Sequence, residues 1–279
     1  MTNSYVSNSV VIITGAASGI GRELAIQAAQ QGASVIATDV NEDGLLETRQ
    51  HVVQQERIQT YLLDVASPEA IKQFADQIIP TLAGRNLVLI NNAGVGLLSG
   101  SFDQTEVADM EWLFAINFWG AVRLTKAFYP YFLNQQKGHI VNISSVFGLI
   151  GFPHQSAYSP AKFALRGFTE TLRIELMGTG VRTTSVHPGG INTSIAKNSR
   201  VMSHMTSTHS QAIDQFAQVA RTQPREAARQ ILRAVERKKQ RLLIGSDARL
   251  LDLLVRLLPV GYSRLIKQRT DKAFATLNK

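Results

Sequence analysis

Residues 10–21 read VVIITGAASGIG, a run of branched apolar residues that leads directly into a glycine-rich turn. The apolar run predicts a buried strand, and the residues after the turn have the spacing of a helix that ends at Gly32. Glycines in such a turn let the backbone approach a pyrophosphate, and the helix N-terminus attracts negative charge. We therefore expect a dinucleotide site here, and a tight strand-to-helix turn without a ligand is the alternative.

The alternation of apolar strand and helical pattern continues along most of the chain. Several runs, such as VVII and LVLI, are apolar on both faces, which indicates a sheet covered by helices on both sides. Helical patterns fall at 103–133, 155–177 and 224–239. Strands are predicted at 10–14, 34–38, 60–64, 87–91, 139–144, 182–187 and 241–245. The predicted fold class is α/β, a single doubly wound parallel sheet of about seven strands flanked by helices.

Two segments depart from this pattern. Residues 192–221 are polar and weakly periodic, and an insertion of that kind between a strand and a helix is commonly a lid over a binding site. Residues 247–279 follow the last strand and combine an apolar leucine face with many basic residues. We divide the chain into a main domain, 1–246, which includes the lid, and a C-terminal amphipathic extension, 247–279.

The composition excludes several classes of protein. With 44% hydrophobic and 18% charged residues, the 279-residue chain resembles globular proteins and not disordered ones. The absence of cysteine excludes a disulfide framework and thiolate chemistry. The six histidines lack the spacing of a zinc site, so we expect no metal. We find neither a signal-peptide pattern nor an apolar run of membrane-spanning length, and a cytoplasmic protein is expected.

The net charge of +8 is concentrated near the C-terminus. Residues 1–196 contain 12 basic and 15 acidic side chains, whereas residues 197–279 contain 17 and 6. A basic region of this kind can attract nucleic acid or anionic lipid. No recognised nucleic-acid-binding motif accompanies it, so no nucleic-acid partner is expected. A peripheral membrane contact through 247–279 stays open, beside the simpler interpretation that exposed helix faces are rich in arginine.

Asp39 closes the predicted second strand, 18 residues after Gly21. An acidic side chain near this position accepts hydrogen bonds from the adenosine ribose in dinucleotide sites. Because a carboxylate repels a 2′-phosphate, Asp39 favours NAD over NADP. The alternative is that Asp39 caps the following helix.

The glycine pattern is GxxxGxG, and it is followed by Asn91-Asn92-Ala93-Gly94 and by Tyr158-Ser159-Pro160-Ala161-Lys162. Together these motifs, over about residues 8–193, resemble the short-chain dehydrogenase/reductase family, whose fold is of the Rossmann type. Ser18 and Val40 stand where family members that use NADP often carry a basic residue, which again favours NAD. The resemblance implies cofactor contacts at Gly15, Ser18, Gly19, Ile20, Gly21, Asp39, Asp64, Val65, Asn91, Ala93, Gly94, Tyr158, Lys162, Pro188, Gly189 and Thr193.

The candidate catalytic residues are Asn117, Ser145, Tyr158 and Lys162. Tyr158 and Lys162 are four residues apart on a predicted helix, so they share one face. Hydride transfer at a carbinol carbon requires a proton donor or acceptor at the oxygen, and a free tyrosine is too weak a base at neutral pH. We expect the Lys162 ammonium and the oxidised nicotinamide to lower the pKa of Tyr158.

The resemblance assigns further roles. It implies that Lys162 also holds the nicotinamide ribose, that Ser145 donates a hydrogen bond to the substrate oxygen, and that Asn117 holds a proton-relay water. Three alternatives remain open from the sequence: Ser144 in place of Ser145, Asn117 as the cap of a helix kink, and Lys162 as a solvated surface charge.

The substrate side is predicted beyond the carboxyl ends of the strands. The candidate pocket residues are Val146, Phe147, Phe152, His154, Gly190 and Ile191, which are mostly apolar. We expect a small-molecule substrate, a hydrophobic secondary alcohol or ketone, and the resemblance implies a homodimer or homotetramer. The alternatives are an NADPH-dependent ketoreductase of lipid or acyl-thioester metabolism and a non-catalytic dinucleotide-binding regulatory protein.

Overall fold

A computed structural model describes residues 4–98, 100–193, 195, 198–202 and 220–275. These residues contain nine strands: β1 (Ser9–Thr14), β2 (Ser34–Asp39), β3 (Ile58–Leu62), β4 (Asn86–Asn91), β5 (Leu97–Leu98), β6 (Gly138–Ile143), β7 (Val181–Pro188), β8 (Arg200–Val201) and β9 (Arg241–Ile244). Seven of them form one parallel sheet in the order β3-β2-β1-β4-β6-β7-β9, and β5 pairs with β8 separately. The predicted fold class is confirmed.

Helices cover both faces of the sheet. They are α1 (Gly19–Gln30), α2 (Glu42–Gln50), α3 (Pro68–Ile78), α4 (Val107–Phe114), α5 (Ala121–Gln135), α6 (Tyr158–Glu175), α7 (Pro224–Glu236), α8 (Ser246–Leu257) and α9 (Tyr262–Ala275). Alternate side chains of β1 enter the two cores: Val11 and Ile13 pack with α1 and α7, while Val10 and Ile12 pack with α3 and α5. This alternation follows from the two-residue period of a strand.

Several predicted boundaries differ from the structure, by two residues or more in four elements. The helix predicted over 224–239 ends at Glu236. The strand predicted at 60–64 is Ile58–Leu62, because pairing with β2 ends where Asp39 faces Leu62. The helix predicted over 103–133 begins at Val107 and is interrupted by a π-helical turn, Ala115–Gly120. The helix predicted to begin at 155 begins at Tyr158.

The sheet order reverses direction between β1 and β4. Crossovers on opposite sides of this point open a crevice beyond the carboxyl ends of the strands, where ligands of doubly wound sheets bind. The glycine-rich turn follows β1 and the Asn-Asn-Ala-Gly motif follows β4, so the fold brings both motifs to this crevice.

The C-terminal helices pack against the carboxyl end of the sheet. Ile266 of α9 is buried in a cluster with Leu149 and Ile150, and the hydroxyl of Tyr262 accepts a hydrogen bond of 3.1 Å from the backbone N–H of Gly151. The extension therefore contacts the segment that follows β6. None of the described helices is long and apolar enough to cross a bilayer.

Candidate active site

Two glycines of the turn after β1 lie where no side chain fits. Gly15 has a positive φ of 68°, and a Cβ there would lie 2.8 Å from the Cα of Ala93. A Cβ on Gly21 would lie 2.0 Å from the carbonyl oxygen of Gly15. Ser18 is the N-cap of α1, and its side chain makes no capping hydrogen bond. The first backbone N–H groups of α1 thus stay available for an anion, as a pyrophosphate site requires.

The carboxylate of Asp39 forms hydrogen bonds to the backbone of this turn and of the residues before α2. Its Oδ2 accepts a hydrogen bond of 2.9 Å from the N–H of Ala17, and its Oδ1 accepts one of 3.1 Å from the N–H of Asn41. The N-cap of α2 is Asn41, whose side chain accepts from the N–H of Gly44 at 2.9 Å. Asp39 is therefore not the cap of α2, and its carboxylate lies half-buried beside the glycine turn.

Arg22 supports the same turn and was not among the predicted site residues. Its guanidinium donates to the carbonyl of Ala17, to Thr48 Oγ1 at 3.1 Å and to the carboxylate of Glu47 at 2.6 and 2.7 Å. The Arg22 guanidinium lowers the pKa of Glu47 through this ion pair. Its partners lie up to 26 residues away along the chain, so no local spacing indicates the contact.

The motif after β4 is fastened to the glycine turn mainly by Asn92. Its Nδ2 donates to the carbonyls of Thr14 and Gly15 at 2.9 and 3.0 Å. The side chain of Asn91 points elsewhere, since its Nδ2 donates to Thr125 and Asn142 in a buried network. The backbone of Asn91 is therefore the group that is left to approach a cofactor on the side of the crevice.

The other predicted cofactor residues surround the crevice. Asp64 follows β3 as an exposed residue and accepts a 2.8 Å hydrogen bond from the N–H of Ala66, and Val65 is buried. A Cβ on Gly19 would lie 3.3 Å from Cγ2 of Thr193, so the segment after β7 approaches the glycine turn.

Pro188 ends β7, and the two glycines after it are held by Asp247 at the start of α8. Oδ2 of Asp247 accepts a 2.7 Å hydrogen bond from the N–H of Gly190. A Cβ on Gly189 would lie 2.1 Å from the same oxygen, so only glycine fits beside this carboxylate. Asp247 was not predicted as a site residue.

Ser145, Tyr158 and Lys162 come together at the carboxyl end of β6. The Ser145 side chain lies next to the Tyr158 hydroxyl and favours its phenolate, and the Lys162 Nζ lies 5.6 Å from the centre of the Tyr158 ring. Lys162 is buried, and its Nζ donates to the carbonyl of Ile143 at 3.0 Å. The alternative of a solvated surface lysine is therefore wrong.

The two adjacent serines have different roles. Ser144 Oγ donates to the carbonyl of Lys162 at 2.8 Å, which joins β6 to α6. Ser145 Oγ accepts from the N–H of Phe147 at 3.1 Å and lies next to the Tyr158 hydroxyl. The carbonyl of Ser145 accepts from Nδ1 of the buried His187 at 3.1 Å, which fixes the tautomer of that ring because a carbonyl cannot donate. Ser145 is thus the serine that faces Tyr158.

Burial governs the ionisation of the tyrosine and the lysine. It raises the pKa of the Tyr158 phenol to about 12, although the hydrogen bond from Ser145 acts in the opposite direction. It also lowers the pKa of Lys162 to about 8. In the protein alone, desolvation therefore outweighs the stabilisation of the phenolate. The lower Tyr158 pKa expected from Lys162 together with the oxidised nicotinamide stays a prediction for the cofactor-bound state.

Asn117 lies within the π-helical turn and is buried. Its amide is paired with the backbone of Val95, accepting from the N–H at 2.8 Å and donating to the carbonyl at 2.9 Å. A Cβ on Gly94 would lie 3.2 Å from Asn117 Oδ1 and 3.3 Å from Lys162 Nζ, so both groups border the same small space. Since π turns recur at functional sites, the placement is consistent with a role beyond capping.

The predicted substrate residues separate into two groups. Phe147 and Phe152 stack with ring centres 4.7 Å apart, and Phe147 meets the edge of Tyr158 at 6.4 Å. Val146 is buried next to them, and Gly190 borders the site through its contact with Asp247. Ile191 instead packs into the core that contains α1 and α7, and His154 is exposed with a positive φ of 60°.

The predicted lid, 192–221, is only partly described. Its residues 194, 196–197 and 203–219 lie outside the described residues. Of the remainder, β8 pairs with β5, and the Arg200 guanidinium lies 3.7 Å from the centre of the Trp112 ring and bonds to Asp109 at 2.7 Å. These contacts attach one stretch of the segment to α4.

Comparison with known proteins gives consistent matches. Residues 9–204 match a family model described as short chain dehydrogenase. The SadH protein of Mycobacterium tuberculosis is 39% identical over 275 residues, which cover 97% of this chain and 98% of that protein. Retinol dehydrogenase 8 of Bos taurus is 40% identical over 188 residues, which cover 66% of this chain and 59% of that protein.

Solved structures share the fold. A short-chain dehydrogenase/reductase from Burkholderia phymatum, solved in complex with NAD, has a TM-score of 0.81 at 24% identity and covers 90% of this chain and 94% of its own. A serine dehydrogenase solved in its closed form with NADP+ has a TM-score of 0.76 at 25% identity and covers 84% and 94%.

Proposed function

The chain belongs to the short-chain dehydrogenase family of oxidoreductases, and on that premise we propose that it is an NAD-dependent enzyme that interconverts a hydrophobic secondary alcohol and its ketone. The observation that carries the proposal is the convergence of Ser145, Tyr158 and Lys162 next to the glycine turn and the segment after β7. The residues around the crevice fit a nicotinamide dinucleotide, because the glycines leave room for its phosphates. When bound, the oxidised cofactor supplies the hydride acceptor.

The protein residues would handle the proton. In the oxidation direction, the positive charge of the bound oxidised nicotinamide would favour the Tyr158 phenolate against the effect of burial. Tyr158 would then accept the hydroxyl proton of the alcohol, and Ser145 would donate a hydrogen bond to the same oxygen. Lys162 carries further N–H donors besides the one used by Ile143, and we expect these to hold the nicotinamide ribose. The amide of Asn117 keeps one lone pair and one N–H after pairing with Val95, so it can bind a water that passes the proton onward.

The preference for NAD rests on the charges beside the glycine turn. Asp39 presents a carboxylate there, and the neighbouring Arg22 is neutralised by Glu47. A 2′-phosphate would therefore meet a negative charge without gaining Arg22 as a partner. Among the similar proteins, one was solved with NAD and another with NADP+, so the preference must be measured on this chain.

The apolar substrate class rests on the aromatic pair beside Tyr158. Phe147 and Phe152 are half-buried, and Val146 adds a further apolar group. Retinol dehydrogenase 8, whose name specifies an apolar alcohol, is among the similar proteins. A cytoplasmic location remains a prediction, as does the division of the chain at residue 246.

Cofactor titration and turnover test the proposal. We expect NADH to bind more tightly than NADPH, and NADH to form with apolar secondary alcohols but not with polyols. Tyr158→Phe is expected to bind NADH normally and to lose at least about 100-fold in turnover. Tyr61→Phe, which removes a phenol hydroxyl from β3, is the matched control and should retain full activity.

Three outcomes would contradict parts of this proposal. Tight cofactor binding without turnover on any alcohol or ketone would favour a regulatory dinucleotide-binding protein. Better binding of NADPH would favour the ketoreductase alternative. Asp39→Asn, which keeps an acceptor oxygen but removes the charge, should improve NADPH binding by about tenfold, and an unchanged ratio would refute the role of Asp39.

A homo-oligomer is also proposed. Apolar side chains are exposed on the π turn and on α6, namely Trp119, Phe163 and Ile174. Such residues favour burial against another subunit. Light scattering is expected to give a dimer or tetramer, and a monomer at micromolar concentration would refute this.

A further inference from the structure

The α8 helix exposes apolar residues on the side that faces away from the protein. Leu250, Leu253 and Leu257 are 60%, 53% and 69% exposed, and their spacing places them in one row. Ala248 and Asp252 are buried on the opposite side of the helix. A surface helix normally buries its apolar row and exposes polar side chains, and no part of the chain that the structure describes covers this outer face.

The exposed apolar surface continues beyond α8. Leu258 is exposed in the turn that follows, Val260 is 80% exposed, and Leu265 of α9 is also exposed. We call the surface made by these six residues the leucine face: Leu250, Leu253, Leu257, Leu258, Val260 and Leu265. A concentration of exposed apolar side chains within 16 residues of the chain indicates an interaction site.

The charge around the leucine face is of one sign. Residues 246–270 contain five basic side chains, Arg249, Arg256, Arg264, Lys267 and Arg269, all of them exposed. The same stretch contains two carboxylates, and both are engaged inside the protein. Asp247 accepts from Gly190, and Asp252 is buried against Arg241 and Arg256. The leucine face therefore presents its apolar row with a positive rim.

We propose that the leucine face docks on an anionic phospholipid surface. Apolar side chains of an interfacial helix enter the boundary between headgroups and acyl chains, and neighbouring basic side chains bind the anionic headgroups. A second copy of this chain is a poorer partner, because a two-fold interface would bring the same basic rims together.

The docking element is already folded. The carboxylate of Asp252 bonds to Arg241 of β9 at 2.5 and 2.9 Å, and Tyr262 and Ile266 fasten α9 to the segment after β6. Docking would therefore require little ordering of the chain, which removes one of the usual costs of binding. That segment also contains Phe147, which contacts Tyr158, so the helices that carry the leucine face pack with their inner sides against the proposed substrate side.

Co-sedimentation of the full-length protein with vesicles tests the proposal. We expect binding to an equal mixture of phosphatidylcholine and phosphatidylglycerol, weak binding to phosphatidylcholine alone, and release at high salt. The double variant Arg249→Glu with Arg264→Glu should lower the partition coefficient at least about 25-fold, since each basic residue contributes about fivefold, or about 1 kcal/mol. The variant with Leu250, Leu253 and Leu257 all changed to Gln should also lose binding to the mixed vesicles.

The matched control lies on α2, where Leu46 and Arg49 are both exposed. Leu46→Gln with Arg49→Glu removes similar chemistry from another surface and should leave vesicle binding unchanged. Absence of binding to the mixed vesicles, equal binding to both vesicle types, or an equal loss in the α2 control would overturn the proposal. If the leucine variant instead dissociates an oligomer and leaves vesicle binding intact, the leucine face is a contact between subunits.

Discussion

The cofactor side and the substrate side of the crevice are held together by different kinds of contact. On the cofactor side, backbone lies directly against backbone, as where Gly15 faces Ala93, and side chains such as Asn92 and Asp39 hydrogen-bond to main-chain groups. On the substrate side, Phe147 and Phe152 pack in an apolar cluster with the C-terminal helices. The first arrangement leaves no room for a larger residue, whereas the second depends on volume and apolar character.

This difference indicates that the cofactor side is the part of the site shared within the family, and that the substrate side is the part that varies. Close backbone approach restricts the sequence to glycine and to a few short polar side chains, so the cofactor side repeats as a motif. Apolar clusters accept other hydrophobic residues of similar volume. Substrate selectivity can therefore change through the substrate side while the cofactor side stays the same.

The largest effect is expected on the cofactor side, from Gly21→Ala. The added methyl group would lie 2.0 Å from the carbonyl oxygen of Gly15 and 2.6 Å from Asn92 Nδ2, so the turn must move. We expect NADH binding, measured by fluorescence titration, to weaken more than about 100-fold, with a loss of about 3 kcal/mol in the free energy of unfolding.

The control for this change is Gly167→Ala in α6. A Cβ there would have none of the described atoms within 4 Å, so the substitution adds helix propensity without a clash. It should stabilise the protein by about 1 kcal/mol and leave NADH binding unchanged. If Gly21→Ala binds NADH as well as Gly167→Ala does, the cofactor side is not restricted by backbone contact.

The same contrast explains what the sequence could predict. The sheet was predictable because short runs that are apolar on both faces are typical of strands buried between two helical layers. The proximity of Tyr158 and Lys162 was predictable because residues four apart lie on the same face of a helix. Arg22 and Asp247 were not predictable. Their partners lie 25 and 57 residues away, and no local pattern connects them.

The orientation of side chains on the substrate side could not be predicted for the same reason. Ile191 packs into the core with α1 and α7 and His154 is exposed, and their contact with a substrate stays a prediction. Both follow site motifs closely along the chain, yet the direction of a side chain in an irregular segment depends on tertiary packing. The π turn at Asn117 also has no sequence signature in the helical periodicity.

Lys162→Met changes the residue that is expected to contact both the cofactor and Tyr158. Its fold-change in turnover should be smaller than the fold-change in NADH binding caused by Gly21→Ala. We expect at least about tenfold lower turnover, because the ammonium that holds the ribose and faces Tyr158 is removed. The same variant should be more stable at pH 7, by about 2 kcal/mol. Burial lowers the pKa of Lys162 from 10.5 to about 8, so the charged lysine costs the wild-type protein about 3 kcal/mol, which the variant avoids. The variant loses about 1 kcal/mol with the hydrogen bond to Ile143.

The pH dependence of stability distinguishes removal of the buried Lys162 charge from a general repacking of the side chains around it. Because the pKa of Lys162 is lower in the folded chain than in the unfolded one, the unfolded chain binds more protons between about pH 8 and 10.5. The stability contributed by this group therefore rises with pH over that interval. Thermal unfolding of Lys162→Met should lack this rise, and an identical slope in both proteins would show that the buried charge is not the cause.

The smallest effect is expected from Asp247→Ala, which removes the link between α8 and the glycines after β7. Without the carboxylate, the N–H of Gly190 loses its acceptor, and the segment that approaches the glycine turn becomes less well positioned. We expect the KM for NAD to rise about tenfold with little change in kcat. Asp247→Asn should restore much of the affinity, because it keeps an acceptor oxygen.

Asp252→Asn is the comparison on the same helix. It weakens the ion pair with Arg241 and should lower thermal stability while leaving the KM for NAD unchanged. Equal KM effects from the two carboxylates would mean that α8 acts on the site only through general stability, and that the two sides of the crevice are not coupled through Asp247.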